Sequence, residues 1–86
     1  MRQKKVEMKM KILLFGILAD KAGKPEIEIE TDNEIDRDSL LIKINKKYPE
    51  FGKTNYAIAV NKKIITSNHS IKETDEIALL PPFAGG

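Results

Sequence analysis

Met10-Lys11-Ile12-Leu13-Leu14-Phe15-Gly16-Ile17-Leu18 carries large apolar side chains at odd and even positions alike. In an extended chain Ile12 and Leu14 point one way and Leu13 and Phe15 the other. A strand apolar on both faces is usually central in its sheet, or covers a core on one side and a partner on the other. Moving outward, Glu26-Ile27-Glu28-Ile29-Glu30-Thr31 alternates strictly, which predicts a strand with Ile27 and Ile29 facing a core and the glutamates facing water. Between the two, Leu18–Gly23 has room for one helical turn closed by Gly23, and Pro25 blocks its continuation.

A helix is expected next. Asp36 or Asp38 can cap its start, acidic Glu34, Asp36 and Asp38 gather there, and Lys43, Lys46 and Lys47 gather at its end, all in the sense the helix dipole favours. Leu40, Leu41, Ile44 and Tyr48 share one face, and Pro49 marks the stop. Phe51-Gly52 reads as the opening of a connecting loop. Tyr56–Val60 reads as a second apolar strand, Asn61-Lys62-Lys63 as a turn and Ile64-Ile65-Thr66 as a short return strand. Asn68-His69-Ser70 and Glu73-Thr74-Asp75 read as further turns around Ile71, and Asp75–Leu80 as the last strand. A hairpin followed by a crossing helix puts the first and last strands side by side and parallel, with the helix across one face. The expected class is therefore α+β, a ubiquitin-like β-grasp with a mixed sheet whose last strand lies in the middle.

That strand leads straight into Pro81-Pro82-Phe83-Ala84-Gly85-Gly86. The two prolines lock φ and favour an extended tail projecting from the body, and paired glycines make it thin enough to thread a narrow channel. Gly86 would present an α-carboxylate, ionised at neutral pH, that can attack the α-phosphorus of ATP and form an acyl-adenylate open to a sulfur or amine nucleophile. The organisation expected is a basic N-terminal extension over residues 1–9, a domain over 10–80 and an extended tail over 81–86.

Composition removes competing chemistries. With no cysteine and one histidine among 86 residues, the chain has no disulfide, no catalytic thiol and no multi-histidine or cysteine metal site. His69, flanked by Ser67 and Ser70, reads as a turn residue rather than part of a triad, because triad members are rarely sequence neighbours. The net charge of +2, and a basic run at Arg2, Lys4, Lys5, Lys9 and Lys11 without interleaved aromatics, point to no nucleic-acid partner. No apolar run spans a bilayer and the polar start is not a signal peptide, so a cytoplasmic location without membrane attachment is expected.

Ala59-Val60-Asn61, Ile64-Ile65, His69 and then Asp75-Glu76-Ile77-Ala78-Leu79-Leu80-Pro81-Pro82-Phe83-Ala84-Gly85-Gly86 resemble the small subunit of molybdopterin synthase, a ubiquitin-like sulfur-carrier family. The resemblance is one of motif over 59–86 and of pattern over 10–58, and residues 1–9 lie outside it. Where relatives often show a basic then an acidic residue, this chain has Ala19-Asp20.

The resemblance implies a non-catalytic sulfur-donor subunit. An ATP-dependent activating enzyme would adenylate Gly86, a persulfide donor would convert it to a thiocarboxylate, and the tail would enter a pocket on the large synthase subunit. There the sulfur would pass to cyclic pyranopterin monophosphate to build the dithiolene, with acid–base groups supplied by the large subunit. Gly86 would carry the sulfur, Gly85 and Ala84 would thread, and Pro81, Pro82 and Phe83 would direct and anchor the tail. Phe15, Ile64 and Leu80 are expected as an apolar partner surface on the sheet face away from the helix. No cofactor or metal is expected on the chain, ATP being used by the activating enzyme. Three alternatives remain open. One is a ubiquitin-like modifier joined through Gly86 to lysines, another a sulfur carrier for thiamine or tRNA thiolation, and the third a plain β-grasp binding module.

Overall fold

A computed structural model describes residues 8–31 and 34–81 of the chain. The first strand, β1, runs Met8–Leu14 and is followed by a short helix α1, Ile17–Ala22, then β2, Glu26–Thr31. A two-residue strand β3, Ile35–Asp36, leads into the main helix α2, Arg37–Lys47, and a 3₁₀ turn over Pro49–Lys53. Four strands complete the chain: β4, Ala57–Val60; β5, Lys63–Ile65; β6, Ser70–Ile71; and β7, Ile77–Leu80. The main sheet has the order β2-β1-β7-β4-β5, and β3 pairs with β6 in a small second sheet. Only β1 and β7 are parallel, Ile12 opposite Ile77 and Leu14 opposite Leu79, and the other main-sheet pairs are antiparallel. This is the mixed β-grasp sheet expected from the sequence, with the last strand third of five.

The first strand differs from its reading. It ends at Leu14, four residues early, because Gly16 (φ 58°, ψ −132°) turns the chain out of the sheet and Ile17 and Leu18 enter α1. It also begins earlier, since Met8 and Lys9 pair with Thr31 and Glu30, so the sheet takes in the last two residues of the expected extension. Residues 1–7 lie outside the described part. Gly23 closes α1 as anticipated, left-handed at φ 76°, with its N–H donating to the Ala19 carbonyl at 2.8 Å.

One face of the sheet carries the core. Ile12, Ile27, Ile58, Val60, Ile77 and Leu79 are buried there against Leu40 and Ile44 of α2 and Leu18 of α1. Burying this apolar face is the main favourable term holding the fold. Two further contributors went unread. Phe51 is fully buried, stacked on Tyr48 with centroids 5.2 Å apart and edge-on to Tyr56 at 6.3 Å, so the expected loop is a packed turn. Ile35 and Ile71, opposite one another in β3 and β6, are buried as well.

Asp36 caps α2, its Oδ1 accepting from the Ser39 N–H at 2.9 Å. That hydrogen bond, with further ones from Ser39 and Asn68 side chains, holds its carboxyl below the ordinary value of 3.8. Asn68 and His69 were read as a turn, and they tie this helix start down: Asp38 N–H donates to Asn68 Oδ1 at 3.0 Å and Arg37 N–H to the His69 carbonyl at 2.9 Å. Cationic side chains cover both outermost strands. Lys47 Nζ donates to the Glu28 carbonyl on β2 at 3.2 Å, and Arg37 Nε to the Ile65 carbonyl on β5 at 3.0 Å. Such capping blunts edges that would otherwise invite another strand.

Candidate functional site

Residues opposite one another in a sheet share a face, and successive residues along a strand alternate. With Ile77 and Leu79 turned into the core, Ala78 and Leu80 of β7 stand on the other face. Register then assembles a row across the sheet: Leu13 opposite Ala78, Ala78 opposite Ala59, Ala59 opposite Ile64. Leu80 lies opposite Ala57 one step nearer the end of β7. Toward β2 the same face becomes charged, with Lys11 and Glu26 paired at 3.7 Å. The open face is thus apolar at the side from which the tail departs and ionic at the far side.

Ile64 and Leu80 occupy this face, and Ile64 is half exposed at 50%. Phe15 lies beyond the end of β1, 47% exposed, at the Leu14–Leu79 end of the parallel pair from which β7 continues to Leu80. Leu13, Ala57, Ala59 and Ala78 belong to the same surface and were missed. Their signal was present in the two-sided apolarity of the first strand, but naming the small residues required the register. Ala59 is the informative one: it is buried, yet it is not among the residues of the helix-side core cluster.

Pro81 is half-buried where β7 ends. It sits against Gly16, where an added Cβ would come within 3.0 Å of Pro81 Cγ. Pro82, Phe83, Ala84, Gly85 and Gly86 lie outside the described residues. The opposite end of β7 is held by hydrogen bonds. Asn61 Nδ2 donates to Asp75 Oδ1 at 3.0 Å, Glu76 N–H donates to Asn61 Oδ1 at 2.9 Å, and Asn61 N–H donates to the Glu76 carbonyl at 2.8 Å. Asp75 Oδ2 also accepts from the Lys72 N–H at 2.8 Å. The Lys72 contact and then the Asn61 amide hold the Asp75 carboxyl below its ordinary value. Asn61 and Lys62 both take positive φ, 53° and 71°, as a two-residue hairpin between β4 and β5 requires.

The site therefore consists of an apolar sheet face and a tail exit. Among the described residues no group of three His, Asp or Glu side chains could hold a metal ion, and no helix is long and apolar enough to cross a membrane. His69 is exposed on the β3–β6 side of the molecule and its carbonyl is engaged by Arg37.

The ThiS family model matches residues 12–86, from the middle of β1 through the diglycine. The chain belongs to the ThiS family. The chain is also similar to a protein of Dictyostelium discoideum named molybdopterin synthase sulfur carrier subunit, 36% identical over 81 residues, covering 88% of this chain and 94% of that one. Among solved structures, a protein of Pyrococcus furiosus described as molybdopterin converting factor, subunit 1, superposes with a TM-score of 0.77 at 24% identity, over 88% of this chain and 99% of that one. Haloferax volcanii small archaeal modifier protein 1 superposes at 0.75 with 20% identity, over 88% and 99%. At these identities the two structures establish the ubiquitin-like β-grasp fold.

Proposed function

We propose that this chain is a sulfur carrier, serving as the small subunit of molybdopterin synthase. The observation that carries the reading is the family match running through Gly86, joined to 36% identity with a protein named as that subunit. Its chemistry resides in the Gly86 carboxylate. An ATP-dependent activating enzyme lets a carboxylate oxygen attack the α-phosphorus of ATP, and pyrophosphate leaves. The terminal sulfur of a persulfide then displaces AMP at the acyl carbon, and a thiol cleaves the resulting sulfur–sulfur bond to free a thiocarboxylate. Delivered into a pocket of the large synthase subunit, that sulfur attacks cyclic pyranopterin monophosphate. Hydrolysis of the Gly86 acyl–sulfur bond then leaves the sulfur on the pterin and frees the chain as a carboxylate, and a second charged chain completes the dithiolene.

The chain's own part is positional. Leu13, Ala57, Ala59, Ile64, Ala78 and Leu80 form a docking face next to the tail exit, with Phe15 at its border. An apolar centre with an ionic flank suits a specific subunit contact. Pro81, Pro82 and Phe83 direct the tail, and Ala84, Gly85 and Gly86 thread. The carrier reading needs no acid–base pair on this chain, because the large subunit surrounds the reacting atoms and would supply those groups.

The test is the intact mass of the chain recovered from cells that express it with its native partners. A free chain in which one oxygen of Gly86 is replaced by sulfur, discharged on adding the large subunit and cyclic pyranopterin monophosphate, supports the carrier. Chains joined through Gly86 to lysines of other proteins, with no thiocarboxylate, overturn it in favour of a protein modifier. A chain that is charged but discharges only into thiamine or tRNA thiolation keeps the carrier and replaces the partner.

A further inference from the structure

We propose that Gly16 is a positioning residue for the tail, its bare Cα being the seat on which Pro81 settles as the chain leaves the sheet. The inference rests on the sulfur-carrier reading and adds to it a residue 65 positions before Pro81 in the sequence. β1 and β7 run parallel as far as Leu14 and Leu79. Beyond that pair the two chains diverge, β7 continuing through Leu80 to Pro81 while Gly16 swings the other chain into α1. Gly16 adopts φ 58° and ψ −132°, a conformation that side chains rarely allow.

Space is the second constraint. A Cβ on Gly16 would lie 3.0 Å from Pro81 Cγ and 3.8 Å from its Cβ and Cδ. Neither side has an easy escape. The Gly16 carbonyl accepts from Ala19 N–H at 3.1 Å and Asp20 N–H at 3.3 Å, and the helix so opened is anchored by fully buried Leu18. The Pro81 ring is closed onto its own backbone, so its Cγ yields only through a change of ring pucker or with the backbone itself. A methyl group at position 16 therefore presses on Pro81, which must give by a few tenths of an ångström at the point where it hands the chain on toward Gly86. Misplacement of a reacting group by about 1 Å can cost on the order of a hundredfold in rate.

The experiment is a double-mutant cycle on the full chain, with its activating enzyme, ATP and a persulfide donor, following thiocarboxylate formation at Gly86 by intact mass. Gly16→Ala is expected to lower kcat at least about tenfold while leaving KM for the chain within about twofold, because the docking face is untouched. Its thermal midpoint should also fall by a few degrees from the strained φ. The thermal scan and the folded fraction of Gly16→Ala are read alongside kcat, and Gly16→Ser supplies a second probe with the same Cβ.

Pro81→Ala removes Cγ and Cδ and leaves a Cβ at an ordinary 3.8 Å. In that background Gly16→Ala should cost kcat less than about threefold, while the midpoint stays low. Loss of kcat that is the same in both backgrounds, or no loss at all, overturns the inference and leaves the carrier standing. A wild-type chain that is never charged overturns the carrier reading, and this inference with it.

Discussion

The two ends of β7 are built on different principles. At its start, Asn61 clamps Asp75 and Glu76 through two side-chain hydrogen bonds and one backbone hydrogen bond. At its finish, the contact that Pro81 makes with the first strand's exit is a ring against a glycine. Side-chain hydrogen bonds fix one end, and among the described residues the last contact at the other, beyond the Leu80–Ala57 pair, is one of shape. A carrier needs this asymmetry: the sheet must not move when the tail is pulled into a partner, and the tail must make few bonds that would have to be broken. Of the residues that carry the family resemblance, Asn61 and Asp75-Glu76 belong to the clamp rather than to the chemistry.

The largest test of that division is deletion of Gly86. Thiocarboxylate formation should vanish while the thermal midpoint stays within a degree or so of the full chain, since the core cluster is assembled from residues between Met10 and Leu79. Mass spectrometry and a thermal scan on the same sample decide it. A variant that still supports a partner's activity would make the chain a binding module and dissolve the contrast between the ends.

Asn61 probes the other end. Asn61→Ala loses both side-chain hydrogen bonds and places a non-glycine residue without Asn's tolerance at φ 53°, an expected loss of about 2 kcal/mol. Asn61→Gly keeps the backbone conformation and loses only the bonds, so about 1 kcal/mol is expected. Denaturant midpoints measure both. Neither variant should change the rate at which folded chain is charged. If charging falls while the folded fraction is unchanged, the clamp reaches the tail and the two ends are not independent.

How far the sequence discloses this arrangement depends on distance along the chain. Local signals are clear: the strict Glu-Ile alternation of β2, a cap at Asp36 or Asp38 (the structure uses Asp36) and the lysine-rich end of α2, Gly23, and a turn at Asn61-Lys62-Lys63, of which Lys63 joins β5, all follow from neighbours within four residues. The parallel pairing of β1 with β7 follows from element order. β3 and β6 do not, because two residues have no period and their pairing is a long-range event. Phe51 beside Gly52 looks like loop punctuation, and only the stack of Tyr48 and Tyr56 around it shows a packed turn. Of the open face, Ile64 and Leu80 are legible as apolar residues without an inward role. Ala59, Ala78 and Gly16 are not, since a small residue is informative only once its neighbour across space is known.

A smaller effect is expected on the open face itself. Ile64→Ser removes an apolar group already half exposed, so stability should change by no more than about 0.5 kcal/mol. Affinity for the large subunit should fall by about 1–2 kcal/mol, or roughly five- to thirtyfold, if Ile64 lies at the buried centre of the contact. Calorimetric titration of the purified subunits reads this. Unchanged affinity would move the partner to another surface and detach the apolar row from the tail it adjoins.

The smallest effect concerns acid. Asp75 is partly buried, and its carboxyl is held below the ordinary 3.8 chiefly by the Lys72 N–H and then by the Asn61 amide. A pKa lower in the folded than in the unfolded chain means the unfolded chain binds more protons in that range, so stability must rise with pH there. The Asp75 contribution is therefore fully present above the unfolded value and is lost as pH falls through the folded one. Asp36, lowered by its cap on Ser39, behaves in the same sense at the start of α2, so wild-type acid sensitivity alone does not isolate the clamp. The separation comes from comparing wild type with Asp75→Asn by urea unfolding at a series of pH values. Asp36 is common to both chains and cancels in the difference. The gap between the two curves should be constant near neutrality, begin to close below the ordinary carboxylate value, and all but disappear in stronger acid. A gap independent of pH would mean that the Asp75 contacts act through shape and not through charge. In that case both ends of β7 would be held by geometry, and the contrast between them would be one of hydrogen-bond number only.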